Sequence, residues 1–273
     1  VGTGMRERFA EAARAECVDL GLLCLLVGAE ADASLDEGGL ESASAELDRL
    51  AERVESAPDH VRWAVTLAEA LGTRAGFLGR PADYQRLDSS LLHQVLRRRR
   101  GLPILLSVVW MEVGRRAGAP VHGVALPGHF VVGVGDPAGE RVLADPFRGG
   151  RLMGPEDVDV IVAGATGAPV SPSMLIPADP LDIVHRILNN IRAWAAVRPE
   201  HVHVSLWAVE LALLLPRHPA RLRYERAQLL VKRGDFATAA TELDAYADLL
   251  TRVDPPAAET VRRQARAARA MLN

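Results

Sequence analysis

The sequence predicts an α+β fold: a helical N-terminal part, one long helix feeding a small antiparallel sheet, and an all-α C-terminal array of helical hairpins. Three observations carry this. Apolar residues recur at helical spacing from Glu7 to about Leu78. Between Val121 and Ala144 the pattern changes to short apolar runs separated by Pro127-Gly128 and by Asp136-Pro137-Ala138-Gly139. From Leu181 onward it is helical again, broken at Arg198-Pro199, at residues 216–219, at Gly234-Asp235 and at Asp254-Pro255-Pro256.

In chain order, the stripe Phe9, Ala12, Ala13, Cys17, Leu20, Cys24 reads as one helix. Leu47, Leu50 and Val54 mark a second helix, and Val61, Val65, Leu67 and Leu71 a third. The gaps hold Asp36-Glu37-Gly38-Gly39 and Ser56-Ala57-Pro58-Asp59, both suited to turns or helix starts. A loop through Gly76, Gly79, Arg80 and Pro81 leads to Asp88-Ser89-Ser90, an N-cap set for a short helix over residues 91–100. Four arginines, 97–100, end that helix, where cations complement the carbonyl end of the dipole. They read more simply as a solvated cap than as a phosphate site.

Residues 101–120, GLPILLSVVWMEVGRRAGAP, form the long apolar helix, with Pro103 in its first turn. Strands follow at 121–126, 129–134 and 141–144. After Asp145-Pro146-Phe147-Arg148-Gly149-Gly150 the chain becomes loop-like, with a short helix after Pro155 and a Gly/Ala/Pro/Ser-rich linker over 164–180. Five helices then run to the end with the α-hairpin spacing of a solenoid.

Composition narrows the function classes. Of 273 residues, 49% are hydrophobic and 25% charged, and the formal charge is −3, so nothing draws the chain toward nucleic acid. The apolar stretch 17–29 is too short for a membrane span and contains Asp19, and no basic segment with a cleavage site precedes it. A cytoplasmic protein, without a membrane partner, is expected. The two cysteines, Cys17 and Cys24, share one predicted helix, cannot bridge along it, and read as buried small hydrophobes. No Cys/His cluster supports zinc: His122 and His129 sit on different strands, and His201 and His203 point in different directions from one helix. There is no Gly-rich phosphate loop and no Gly-x-Ser-x-Gly. Neither metal nor cofactor is therefore expected.

Three positions stand at element boundaries facing the same small sheet: the helix head at 101–104, His129 at the start of the second strand, and Asp145 at the end of the third. In a Cys-His-Asp thiol enzyme the nucleophile occupies a helix start, where the dipole favours thiolate, and an acid orients a strand histidine. Here the histidine and the acid are present. Asp145 before Pro146 also suits a turn in which its side chain accepts backbone N–H bonds.

The segment GLPILLSVVWMEVGRRAGAP…GHFVV…LADPF resembles the core of the transglutaminase-like superfamily, with its Gly-x-Cys helix start, strand His, and Asp before Pro. Pro103 stands where the resemblance implies the catalytic cysteine, while His129 and Asp145 match the other two positions. The longer string RRRRGLPILLSVVW…LPGHFVV…DPFRGGRL is similar to the bacterial SirB-type branch, which carries C-terminal tetratricopeptide-like helices. Residues 222–250 are similar to one tetratricopeptide unit, with small residues at Ala227 and Ala240 around a Gly-Asp-Phe turn. The implied organisation is a transglutaminase-like domain over 1–163 with its core at 83–153, the linker 164–180, and a tetratricopeptide-like domain over 181–273.

Proline cannot serve as nucleophile, acid or base, but it suits the first helical turn because its missing N–H has no partner there. Thiol transglutaminase or protease activity is therefore not expected. Ser107, one turn on and about 6 Å along the axis, is a weak alternative nucleophile. Arg148 and Arg151 are anion-binding candidates. The preferred expectation is a pseudoenzyme, a regulatory factor that meets a protein partner through 181–273. The alternative is a thiol-independent enzyme using His129 and Asp145 as base and orienter, with a small-molecule or peptide ligand near His129.

Overall fold

The structure, a computed structural model, describes residues 2–272. It divides into two compact units, one built on residues 15–187 and one on Arg6–Arg14 with residues 188–272. The helices of the first unit are α2 (Leu20–Ala31), α3 (Glu37–Ala51), α4 (His60–Leu67), α5 (Leu92–Arg98), α6 (Pro103–Ala117) and α7 (Pro155–Thr166). A π-helical turn over Ala68–Arg74 prolongs α4. The second unit holds the described part of α1 (Gly2–Arg14) beyond Met5, with α9 (Val202–Leu214), α10 (Arg221–Arg233), α11 (Phe236–Leu250) and α12 (Pro255–Ala270). The boundary between the units falls within α8 (Pro180–Ala196).

Aspartates start α2, α3 and α4. Asp19, Asp36 and Asp59 accept N–H bonds from Leu22, Gly39 and Arg62 at 2.8–2.9 Å, each satisfying a donor that has no helical partner. The first of these caps corrects the sequence reading of one helix through Phe9 and Cys24. The chain leaves α1 at Arg14 and restarts at Leu20, so Cys17 lies in the intervening bend and is exposed, whereas Cys24 is buried. An apolar stripe keeps its period across such a break, and only the cap residue marks it.

The expected cap at residues 88–90 is also corrected. Leu87–Ser90 is a 3-10 turn, and α5 begins after Leu91 without a side-chain cap bond. Ser89 is buried, and its carbonyl accepts the Leu102 N–H at 2.9 Å, which anchors the head of α6. Nor do the arginines form a solvated cap. Arg98 reaches Asp83 at 3.5 Å, and Arg99, at φ +57°, lies over the Phe77 ring at 4.6 Å and pairs with Glu46 at 2.5 Å.

The sheet is an antiparallel meander, β1 (Val121–Val124), β2 (Val131–Gly135), β3 (Arg141–Asp145) and β4 (Arg151–Met153), paired in that order. Register places Val124 opposite Val131, Val132 opposite Ala144, and Asp145 opposite Arg151. Side chains alternate between faces, so Val121 and Gly123 meet Gly114 and Met111 of α6 while Val124 and Val131 pack on Val158 and Val162 of α7. Covered on both faces, β2 is apolar and buried along its length. The three-residue β4 escaped the sequence reading because it is too short for periodicity. Likewise β2 starts two residues after His129, since a turn precedes it.

Residues 164–180, read from the sequence as the linker, make contacts with the sheet and α7. Val170, Met174 and Leu175 pack on the α7 cluster, Pro177 forms a bridge with Val124, and the Ala178 N–H donates to the Gly123 carbonyl at 2.8 Å. The segment thereby pairs part of the free edge of β1.

Two glycines let the turn after β3 approach closely, Gly72 in the π-helical turn and Gly79 in the loop that follows it. A methyl at Gly72 would run into the Gly149 carbonyl, and one at Gly79 into the Phe147 ring. In the second unit, Gly234 at φ +83° ends α10, and Asp235 and Asp254 cap α11 and α12. Ala227, Leu243, Ala247, Val261 and Ala265 form the core between those hairpins.

Candidate functional site

Three loops of the first unit meet around His129. Leu126-Pro127-Gly128-His129 is a β-turn closed by the His129 N–H donating to the Leu126 carbonyl at 3.2 Å. Proline at the second position and glycine at φ +72° at the third suit a type II turn. Arg186 of α8 clamps it by donating to the carbonyls of Leu126 and His129 at 3.0 and 2.9 Å. The same guanidinium lies 5.6 Å from the Phe130 ring centroid. Burial pulls its pKa below the ordinary arginine value, which Tyr84 partly offsets.

Asp145 ends β3 and caps the 3-10 turn Pro146–Arg148. Its Oδ1 accepts the Phe147 N–H at 3.0 Å, and the carboxylate is 5% exposed. The same oxygen accepts from His129 Nε2 at 3.0 Å. An ionised carboxylate has no hydrogen to give, so Nε2 carries the hydrogen, and in a neutral ring Nδ1 on the other side is the acceptor. The structure thus brings His129 and Asp145, two of the positions singled out in the sequence, within one hydrogen bond of each other.

The head of α6 supplies no reactive group. Pro103 is the first helical residue after Leu102, and Pro103, Ile104, Leu105 and Leu106 are all buried. Ser107 is fully buried, and its Oγ donates to the Phe130 carbonyl at 3.3 Å, beside His129 in the chain. Its hydroxyl therefore ties α6 to the residue leading into β2.

Arg148 and Arg151, the anion-binding candidates, both face carboxylates. Arg148 Nε lies 3.8 Å from Asp145 Oδ2, and Arg151 pairs with Asp157. A pocket of about 240 Å³ contains both arginines with Asp145, Glu156 and Asp157, so its formal charge is negative. The other histidines also differ from the sequence reading. His201 lies in a 3-10 turn before α9, which brings its ring within 5.8 Å of His203 and 4.7 Å of Trp194. Among the described residues, no group of three or more His, Cys, Asp or Glu side chains is arranged to hold a metal.

Tyr84 and Phe147 complete the neighbourhood, and neither was singled out from the sequence as a site residue. Phe147 packs edge-on against His129 at 6.2 Å and against Tyr84 at 6.0 Å. Burial raises the Tyr84 pKa, Asp145 adds to that, and Arg186 opposes it. A tyrosine held protonated presents an O–H donor near the pair. The glycine at position 79 is the one sequence signal that could have pointed to Phe147, because its missing side chain makes room for that ring.

Comparison with known proteins places these features in a family. Residues 41–189 match the transglutaminase-like superfamily and residues 191–273 match the tetratricopeptide repeat. A UPF0162 protein of Xylella fastidiosa is 32% identical over 196 residues, covering 68% of this chain and 69% of that one. A Vibrio cholerae UPF0162 protein is 29% identical over 195 residues, covering 68% and 71%. The mouse F-box only protein 21 shares 39% identity over 56 residues, 20% of this chain and 9% of that protein. The chain belongs to the transglutaminase-like superfamily, in its UPF0162 group, with a tetratricopeptide-repeat region following the transglutaminase-like one.

Proposed function

We propose that this protein is a catalytically silent member of its superfamily, a cytoplasmic regulatory factor of the SirB type whose helical hairpins carry partner recognition. The observation that carries this reading is the head of α6. There a buried proline begins an apolar first turn, and the first hydroxyl along the helix, on Ser107, is fully buried and bonded to the Phe130 carbonyl. In this reading the His129–Asp145 pair braces the turn before β2 against the end of β3, a use open to such a pair in a protein with no turnover. Tetratricopeptide arrays present extended concave surfaces to other proteins, which supports placing the partner on residues 181–273.

The test compares the wild type, His129→Ala, and a truncation after α8, which spares the Arg186 clamp. Affinity capture from the source cell should retain the same partner with His129→Ala and lose it with the truncation. A turnover of any substrate that His129→Ala abolishes, in a variant with unchanged circular dichroism, would overturn the reading.

One observation favours a second reading. Asp145 engages Nε2, which leaves Nδ1 as the acceptor, the arrangement a general base requires. In that case a peptide or small molecule binds beside His129, and Tyr84 donates to it. The two readings part on Tyr84→Phe, which removes one hydroxyl at little cost to packing. It should alter turnover if the second holds and leave partner capture unchanged if the first does.

A further inference from the structure

A second pocket opens at the edge of β1, near the other end of α6. Its volume is about 550 Å³, within the range typical of small-molecule sites. Leu20, Met111 and Ile183 supply apolar wall, and Asp19, Glu112 and Arg115 supply charge. Glu112 is nine residues after Pro103, about 14 Å along the helix. His129, Asp145, Pro103 and Ser107 are not among its lining residues.

Glu112 is the unusual member. Its side chain is 5% exposed, and an ionised carboxylate so deeply buried needs compensation from nearby cations and donors. Arg115 donates to Oε2 at 3.1 Å and Arg116 donates to the same atom, whereas neither guanidinium binds Oε1. Asp19 likewise uses Oδ1 to cap α2. The two carboxylates converge over Gly21, where a methyl would stand 2.8 Å from Glu112 Oε2 and 3.4 Å from Asp19 Oδ1. Glycine keeps that space open. Cys24 registers the same convergence: burial first, then Glu112 and Asp19, push its thiol far above the ordinary range.

We propose that this pocket binds a small amphipathic cation, a protonated amine on a short apolar body. The charge sits on Glu112 Oε1 and Asp19, and the body lies against Leu20, Met111 and Ile183. Arg116 is shared between Glu112 and Asp48, so the carboxylates of Asp19, Glu112 and Asp48 outnumber the guanidiniums of Arg115 and Arg116 and leave a negative balance that a monocation neutralises. An anion would instead meet both carboxylates, and a neutral ligand would leave that balance in place.

Titration calorimetry on the full chain, with 2-phenylethylamine as probe and 2-phenylethanol as its neutral counterpart, tests this. The amine should bind saturably at one site, and the alcohol about tenfold more weakly or worse, the loss expected for a charge-assisted hydrogen bond. Asp19→Asn keeps the helix cap, because asparagine caps as well as aspartate, and should weaken the amine by about tenfold. Glu112→Gln should do the same. If that variant unfolds because Arg115 and Arg116 lose their partner, Asp19→Asn carries the test alone. His129→Ala should leave binding unchanged. Absence of saturable amine binding to the wild type, equal binding of the alcohol, an unaffected Asp19→Asn variant, or loss of binding in His129→Ala would each overturn the proposal.

Discussion

The two units solve the packing problem with opposite side chains. In the first, α6 packs on a sheet, and sheet and helix layers stand far enough apart to need large residues between them. The first unit buries Trp110, Phe77 and Phe130, each at most 1% exposed, with Trp110 and Phe77 edge-on at 6.3 Å. The second unit packs helix on helix with small residues. Ala227, Ala239, Ala240, Ala247, Ala258 and Ala265 are all at most 1% exposed, so the hairpins approach closely, as the distance between helix axes follows the side chains at the contact. One core is sensitive to lost volume and the other to added volume.

Opposite substitutions should break the comparison most visibly. Trp110→Ala should cost about 3–5 kcal/mol, through lost burial and the cavity left beside Phe77. Ala265→Leu should cost about 1–3 kcal/mol, through overpacking between α10, α11 and α12. Because two units need not unfold together, a single melting curve is the wrong measure. Hydrogen exchange read by mass spectrometry is local. Trp110→Ala should speed exchange in α6 and β2, and Ala265→Leu in α10 to α12. A leucine at 265 that left exchange in those hairpins unchanged would show a looser core than the alanines imply.

The same contrast explains what was legible in the sequence. The hairpins announce their ends locally: Gly234-Asp235 and Asp254-Pro255 each stop one helix and cap the next within a few residues. Pro103 and Asp145 were legible for the same reason, since a proline at a helix head and an aspartate before a proline carry their chemistry in their immediate neighbours. The surroundings of His129 were not. Arg186 binds its turn from 57 residues away, and Arg99 reaches Glu46 across 53 residues. No periodicity or cap records a contact at that separation, so a run of four arginines looked like a solvated helix end. Glu112 was hidden differently, as the one acidic residue of a mostly apolar helix, packed where Gly21 of α2 leaves room for it.

A smaller effect, confined to the first unit, is a loss of stability on mild acidification. Burial lowers the His93 pKa, with Asp32 opposing, and burial also lowers that of His122, with Arg141 adding to the shift. Buried nitrogens without a partner accompany both: His93 Nδ1, against Gly28, and His122 Nε2, against Gly133. In the unfolded chain these rings titrate near the usual value of about 6.5. Below it the unfolded state takes up protons that the folded state resists. The stability contribution is therefore present above that value and is lost as pH falls through the lower folded values. Urea midpoints of the first unit, read through hydrogen exchange of α2 and β1 at pH 7.5 and 5.5, should show the wild type weaker at the lower pH, with His93→Gln narrowing the gap. The window lies above the carboxylate range, so Asp32 stays ionised throughout. An unchanged gap in His93→Gln would remove that residue from the account.

The smallest change in stability tests the candidate site most directly. Pro103→Cys should cost only about 0.4–1 kcal/mol, the usual gain from a proline whose backbone geometry already suits it. Its consequence for reactivity should be large. A thiol at the first position of α6 meets the positive end of the helix dipole, and a histidine held through Nε2 offers Nδ1 toward any acid on its other side. The background must be Cys17→Ser, because Cys17 is exposed and would react by itself, and peptide mapping must locate the alkylated thiol, because Cys24 and position 103 are both buried. Alkylation by iodoacetamide, followed by intact mass across pH, should show a cysteine at 103 that titrates well below the ordinary thiol value of about 8.5. Adding His129→Ala should return it to that value. A cysteine that reacts as an ordinary thiol in both backgrounds would mean that His129 and the head of α6 do not converge. In that event the pair would be a brace between two turns, and the match of Pro103 to a cysteine position, which the resemblance implies, would have no counterpart in the geometry around His129.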